Sequence, residues 1–339
     1  MNTSTYIDQI LSAFKKGEKL NITHLRKLGK AAGLTDNDRY LMELAELAWT
    51  KYYRIIVENS YKDTDWSVLS TYQKVVEFYK KVQPSYTVKD STKRIFQQYS
   101  TAAPIGYLMG WFCDEGLEEP LVFEPSAGNG LLTIYYDEPN VSVNELDKIR
   151  RTNLEGQGYA AVTSMDASVR FPASMKHQYD VIITNPPFGK LGETDRTFGY
   201  PFKEIDHIMV AIALETMRDT GRAAILIGNH TEYNDEGRIK SFRAFFDYLH
   251  RHFNVATMIN IDAAKLYSKQ GTSFDLRCIL INGRKKQPIG YAPTKVQAPE
   301  YEWVVDDFEG LYERVEAARN RQFITIEQQL QQYKKQLSI

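Results

Sequence analysis

The sequence predicts an α/β fold, a doubly wound and mostly parallel sheet with a helical N-terminal region, on three observations. From about residue 120 to residue 281, short apolar or β-branched runs alternate with stretches of helical periodicity, as in strands covered on both faces by helices. Four successive runs end on a hydrogen-bond acceptor, Glu124, Glu145, Asp166 and Asn185; ligands of such folds bind along the carboxyl edge of the sheet. The first ninety residues carry apolar side chains at helical spacing. The chain divides accordingly into a helical region over 1–90, a sheet domain over 91–287, and a coil with a C-terminal helix over 288–339.

In the N-terminal region, Thr35-Asp36-Asn37-Asp38 supplies cap-type residues ahead of Leu41, Leu44, Ala45, Ala48, Trp49, Tyr52 and Ile56. A second periodic set, Leu69, Tyr72, Val76 and Tyr79, stops at Gln83-Pro84-Ser85. The aromatic stripe is expected to pack against the sheet domain. Lys74, Lys80, Lys81, Lys89, Lys93 and Arg94 read either as phosphate contacts or as a solvated face.

The first strand, Leu121-Val122-Phe123, runs into Glu124-Pro125-Ser126-Ala127-Gly128-Asn129-Gly130 and then an apolar stretch expected to open a helix. Gly128 and Gly130 permit a tight turn, but position 133 is Thr, so the dinucleotide fingerprint is incomplete; a Walker lysine is lacking too. The second strand candidate ends at Glu145, 21 residues after Glu124, the distance at which a carboxylate accepts ribose hydroxyls in nucleoside-binding α/β units. The third, Ala160 to Met165, ends at Asp166.

The fourth, Val181-Ile182-Ile183-Thr184, enters Asn185-Pro186-Pro187-Phe188. Pro187 has no N–H and pushes Pro186 towards an extended conformation, which leaves the Pro186 carbonyl beside the Asn185 side-chain oxygen. Two fixed acceptors can hold a conjugated amino group as its nitrogen becomes tetrahedral and nucleophilic, with Phe188 as a flat surface for the ring. The same residues also read as an ordinary strand-terminating turn.

Gly189 to Gly199 reads as a mobile lid, a DNA-contacting loop or a passive connector. A helix over Ile205 to Thr220, a stop at Gly221, a strand over Ala223 to Ile227, a helix near Phe242 to His252 and strands over Val255 to Ile261 and Leu276 to Ile281 complete the domain. Phe274 reads either as a second base contact or as a core residue at the start of the last strand. His207 and His230 are given no role. Coil from Pro288 to Pro299 and a Gln-rich helix around Thr325 to Leu337 follow.

These motifs together resemble the S-adenosylmethionine-dependent N6-adenine DNA methyltransferases, of the class whose cofactor motif precedes the catalytic one, over about residues 95 to 285. Gln98-Tyr99-Ser100-Thr101 with Pro104 resembles the motif contacting the methionine end of the cofactor, although Ala102-Ala103 displaces the proline that usually follows the threonine. Glu124 to Gly130 resembles the glycine loop, Asn144-Glu145-Leu146-Asp147 the ribose-binding acid, Met165-Asp166-Ala167 the adenine-binding turn, and Asn185 to Phe188 the catalytic turn. The resemblance implies a Rossmann-like methyltransferase core that binds S-adenosylmethionine. Tyr99, Thr101, Glu124, Ser126, Gly128, Gly130, Glu145, Asp166, Ala167 and Asn185 would hold it. Asn185, Pro186, Pro187 and Phe188 would be catalytic, and Phe188 and Phe274 would contact an adenine flipped out of DNA. Such proteins usually carry a large target-recognition domain. With about fifty residues after the core, the expectation is relaxed specificity, recognition by the N-terminal helices and lid, or a separate specificity or restriction subunit.

Composition agrees. Two distant cysteines, Cys113 and Cys278, suit a reducing cytoplasm and not a disulfide framework. The six histidines and two cysteines form no metal-ligand pattern. The N-terminus begins no signal peptide and no apolar run is long enough to span a bilayer. Lys and Arg number 42 against 43 Asp and Glu, a net charge of −1, so contact with nucleic acid requires local patches. An RNA base-amino methyltransferase, a protein glutamine methyltransferase (usually with Tyr in place of Phe188) and a degenerate methyltransferase fold serving as a DNA-binding or assembly module remain as alternatives.

Overall fold

The computed structural model describes residues 3–34, 37–85, 100–114, 116–270 and 274–320. Helices α1 (Thr3–Lys15) and α2 (Ile22–Ala31) precede the long α3 (Asp38–Ser60) and α4 (Val68–Lys81). The Asn37 side chain caps α3 by accepting the Tyr40 N–H at 3.1 Å, and a reciprocal Ser67–Ser70 box opens α4, so N–H groups without intrahelical partners are satisfied. Thr35 and Asp36 lie outside the described residues. The aromatic stripe packs on the sheet domain, as expected. Tyr72 stacks on Tyr107 and Tyr312 and donates to the Phe308 carbonyl at 2.8 Å, while Tyr79 donates to the Leu266 carbonyl at 3.0 Å.

The sheet domain begins with α5 (Ala103–Cys113), all eleven of whose residues are buried, with Pro104 in its first turn. The strands are β1 (Val122–Glu124), β2 (Val141–Asn144), β3 (Ala161–Thr163), β4 (Tyr179–Thr184), the hairpin β5 (Lys190–Asp195) and β6 (Phe202–Glu204), β7 (Met217–Gly228), β8 (Phe253–Ile261), β9 (Leu276–Arg284) and β10 (Val304–Val305). Between them run α6 (Lys148–Glu155), α7 (Ile205–Glu215), α8 (Arg243–His252) and α9 (Ala263–Leu266), with α10 (Phe308–Asn320) last. Eight strands form one sheet in the order β10-β8-β9-β7-β4-β1-β2-β3, parallel at every pairing except those of β9 with β7 and β8. Alternate residues feed two cores: Val181, Ile183, Ala224 and Leu226 on one face, Ile182, Ala223 and Ile225 on the other. This is the predicted doubly wound, Rossmann-like α/β sheet with a helical N-terminal region. Its direction of winding reverses between β1 and β4.

Several elements differ from expectation. No helix follows Gly130; the chain makes a short 3-10 turn, Leu131–Thr133. Helix α5 already covers that face, so closely that a Cβ on Gly106 would lie 2.9 Å from the Leu131 carbonyl, and Pro139 disfavours helix immediately before it. Helix α7 ends at Glu215, not Thr220, and Gly221 lies inside β7. A Cβ there would sit 2.8 Å from the Asp180 carbonyl, so this glycine serves close approach to β4, where the register shifts. The Gly189 to Gly199 segment holds most of the β5–β6 hairpin rather than an irregular loop. Past the proline-punctuated coil, β10 adds an edge strand beside β8 and α10 packs against α5; neither was anticipated. The Thr325 to Leu337 helix lies outside the described residues. Both cysteines are buried free thiols, and no helix among the described residues is long and apolar enough to cross a membrane.

Candidate active site

A cavity of about 250 Å³ opens at the winding reversal, where diverging connections leave a crevice above the strand ends. Thr101, Glu124, Ser126, Gly128, Glu145, Asp166, Ala167, Asn185 and Pro187 all line it. Sequence positions far apart therefore meet at one place. Ser126 Oγ and Thr184 Oγ1, 3.3 Å apart, link the ends of β1 and β4. Pro186 is buried and, like Gly130, Phe188 and Phe274, lies outside the cavity lining. Tyr99 lies outside the described residues.

Glu145 holds the glycine loop. Its two oxygens accept the Gly128 N–H at 2.8 Å and the Asp147 N–H at 2.7 Å, each keeping a lone pair for a further donor. Burial raises its pKa, against the pull of Arg150 and of the two backbone donors. Asn144 is saturated: Nδ2 donates to the Pro125 and Met165 carbonyls, and Oδ1 accepts from Thr163 Oγ1 and the Met165 N–H. It thus ties the glycine loop to the turn carrying Asp166. Asp166 is exposed, and its Oδ1 accepts the Ser168 N–H and hydroxyl. Glu124 is 1% exposed, its Oε2 has no hydrogen-bond partner among the described residues, and burial, with the Glu145 charge nearby, holds its carboxyl well above the usual carboxylate range.

Gly130 stands behind the wall with φ +90°, and a Cβ there would fall 2.1 Å from the Tyr159 hydroxyl. Arg54 of α3 pins that hydroxyl at 2.9 Å, the Thr133 hydroxyl at 3.0 Å and the Tyr136 carbonyl at 2.8 Å.

Asn185 is held at one end. Its Nδ2 donates to Thr101 Oγ1 at 2.9 Å, which orients the planar amide and leaves Oδ1 at the opposite end as acceptor. Among the described residues none donates to the Pro186 carbonyl. Thr101 is itself fixed from the N-terminal region: Tyr53 donates to Gln83, Gln83 to Gln270, and Gln270 to the Thr101 carbonyl, at 2.5, 3.2 and 2.7 Å. Phe188 is half-buried, 3.4 Å from where a Gly228 Cβ would stand. Phe274 is 55% exposed, which removes the reading of it as a core residue. His207 stacks on Phe245 at 4.0 Å, with its pKa pushed down to about 3 by burial and then by Arg277; it is a packing residue.

The sequence reading missed Glu43, Glu46, Arg150 and Gln270, and gave Asn129 and Asn144 no role of their own. Glu43 and Glu46, fully buried on α3, accept from Asn129 Nδ2 at 2.7 and 3.0 Å, and Arg150 Nε donates to Glu43 at 3.0 Å. The available signal was two acids three residues apart within the apolar run Leu41 to Ala48, a charge placement uncommon without buried partners.

No family model and no curated protein sequence matches the chain. Solved structures are similar to it. A Listeria monocytogenes protein assigned to the class I S-adenosylmethionine-dependent methyltransferases has a TM-score of 0.47 at 11% identity, covering 84% of this chain and 99% of that one. The type I restriction-modification methyltransferase subunit of Streptococcus thermophilus has 0.47 at 11%, covering 96% and 91%. A Pyrococcus horikoshii protein assigned as an RNA methyltransferase has 0.37 at 18%, covering 62% and 96%. Identities this low speak to fold alone, and the fold class stands on the strand order and pairings above: a Rossmann-like α/β sheet preceded by helices.

Proposed function

We propose that the chain is an S-adenosylmethionine-dependent methyltransferase acting on the exocyclic N6 amino group of adenine in DNA. The observation that carries this reading is an anchored Asn185 amide at the edge of a carboxylate-rich cavity. Among the described residues, Glu46, Glu124, Glu145 and Asp166 line that cavity against one cation, Arg150, which Glu43 already engages. Such a surround repels phosphates and suits S-adenosylmethionine, whose sulfonium and ammonium outweigh its single carboxylate. The buried, unpartnered Glu124 Oε2 also fits this ligand, because it lacks the donor that an ammonium provides.

When bound, S-adenosylmethionine supplies a methyl group on a good leaving group. Glu145 would hold the ribose hydroxyls, Asp166 and Ala167 the adenine, Ser126 and Gly128 the loop side, and Glu124 the ammonium. Asn185 Oδ1 and the Pro186 carbonyl accept the two N–H donors of the target amino group and draw its lone pair out of ring conjugation, while Pro187 keeps the turn rigid. The methylated nitrogen would lose its proton to solvent water after transfer, so a tuned base is not required. Phe188, and Phe274 on the surface nearby in sequence to β9, would contact the extruded base, whose unstacking costs a few kcal/mol. Recognition of a target sequence would fall to a separate specificity or restriction subunit.

Labelled methyl transfer to plasmid DNA, rRNA and tRNA in parallel tests the reading, with long-read sequencing of host DNA locating the base. Asn185→Ala should lower transfer roughly 10²- to 10³-fold while cofactor still binds. Transfer to RNA but not DNA would replace the substrate assignment, and an unaffected Asn185→Ala variant would end the catalytic one.

A further inference from the structure

Helix α3 carries two fully buried acids among apolar neighbours, and their situations differ. Glu43 has a counter-ion in Arg150. Among the described residues the partners of Glu46 are neutral: Oε1 accepts from Asn129 Nδ2 at 3.0 Å and from Ser100 Oγ at 2.5 Å, and Oε2 is buried without a hydrogen-bond partner. Glu124, at the end of β1, repeats the pattern with its own Oε2. Both side chains line the same cavity. A buried carboxylate oxygen left empty is unfavourable unless a donor, preferably a charged one, completes it. Asn129 and Ser100 fix the orientation of Glu46, and two such oxygens on one cavity suit an alkylammonium, which brings three N–H donors and a positive charge.

We propose that Glu46 and Glu124 together form the subsite for the α-ammonium of the cofactor, so that the N-terminal helical region supplies part of the cofactor site. The inference rests on S-adenosylmethionine being the ligand. It also gives the helical region a role beyond packing: cofactor binding and the docking of α3 stabilise each other, because the subsite is complete only when both are in place.

Calorimetry on the full chain tests this with three ligands: S-adenosylmethionine, its decarboxylated form, which keeps the ammonium, and 5′-methylthioadenosine, which lacks the amino-acid part. Glu46→Gln should weaken the first two by roughly 10- to 100-fold and leave the third within about twofold. The ligand-free melting temperature should not fall, since glutamine keeps the oxygen that accepts from Asn129 and Ser100. Equal affinity of the variant and the original chain for S-adenosylmethionine overturns the proposal. So does an equal loss of 5′-methylthioadenosine binding, which would make Glu46 a support for Asn129 and Ser100 alone. Should the variant not fold, the 2-oxo analogue of S-adenosylmethionine, with the amino group replaced by a ketone, is titrated into the original chain. A loss of at least about tenfold supports the subsite, and unchanged affinity overturns it. Failure of the original chain to bind any of the adenosyl ligands overturns the cofactor reading itself, and is seen before any variant is made.

Discussion

Replacing Thr101 with valine removes one hydroxyl and keeps the shape of the side chain. Thr101 is 4% exposed, and its Oγ1 accepts from Asn185 Nδ2 at 2.9 Å; its carbonyl bond to Gln270 belongs to the backbone and survives. With a methyl group in that place, the productive amide orientation leaves a half-buried NH2 group unpaired, and turning the amide over brings the NH2 to the position of the proposed catalytic acceptor. The penalty on the productive orientation is about 1–2 kcal/mol, which corresponds to a 5- to 30-fold fall in the rate of transfer. Single-turnover transfer at saturating cofactor and DNA measures it, with cofactor affinity measured separately by calorimetry. Thr101→Ser keeps the hydroxyl and should recover most of the rate. An unchanged single-turnover rate in the valine variant would refute the anchoring argument. A weakened cofactor affinity with an intact rate would assign the hydroxyl to the cofactor instead.

Three further outcomes are expected. Asp206 is 4% exposed, and its pKa is raised from 3.8 to about 7, chiefly by burial. A raised folded-state pKa contributes stability that is full below pH 3.8 and lost as pH rises through about 7, on the order of 4 kcal/mol in all; Asp206→Asn should flatten that part of the stability profile in urea melts and be the more stable form at pH 8. Gly130→Ala places a methyl group against a hydroxyl that Arg54 and Thr133 hold, at φ +90°, and should cost about 3 kcal/mol by chemical denaturation; a loss below about 1 kcal/mol would show that the loop relaxes freely. Because the Glu124 pKa is raised and a cation binds its ionised form, cofactor affinity should strengthen as pH rises, and Glu124→Gln should remove much of that dependence; an identical pH profile in the variant would place the ammonium elsewhere.

The sequence by itself determined the strands at the centre of the sheet and the acceptors at their ends. A β-branched run such as Val181 to Thr184 and the two prolines that stop it are local signals, and so is the helical spacing of Leu41 to Ile56. Local signals failed where a neighbour overrode them: Gly221 stands in a strand because β4 comes too close for a side chain, and α5 occupies the face on which a helix after Gly130 was expected. Tertiary structure decided which polar groups meet. Asn185 finds Thr101 from 84 residues away, and Asn129 finds Glu43 and Glu46 from 86 and 83. Periodicity records which face of an element is buried. It carries no record of which distant donor will satisfy a buried acceptor, since that pairing exists only once the chain has brought α3, the glycine loop and the proline turn around one cavity.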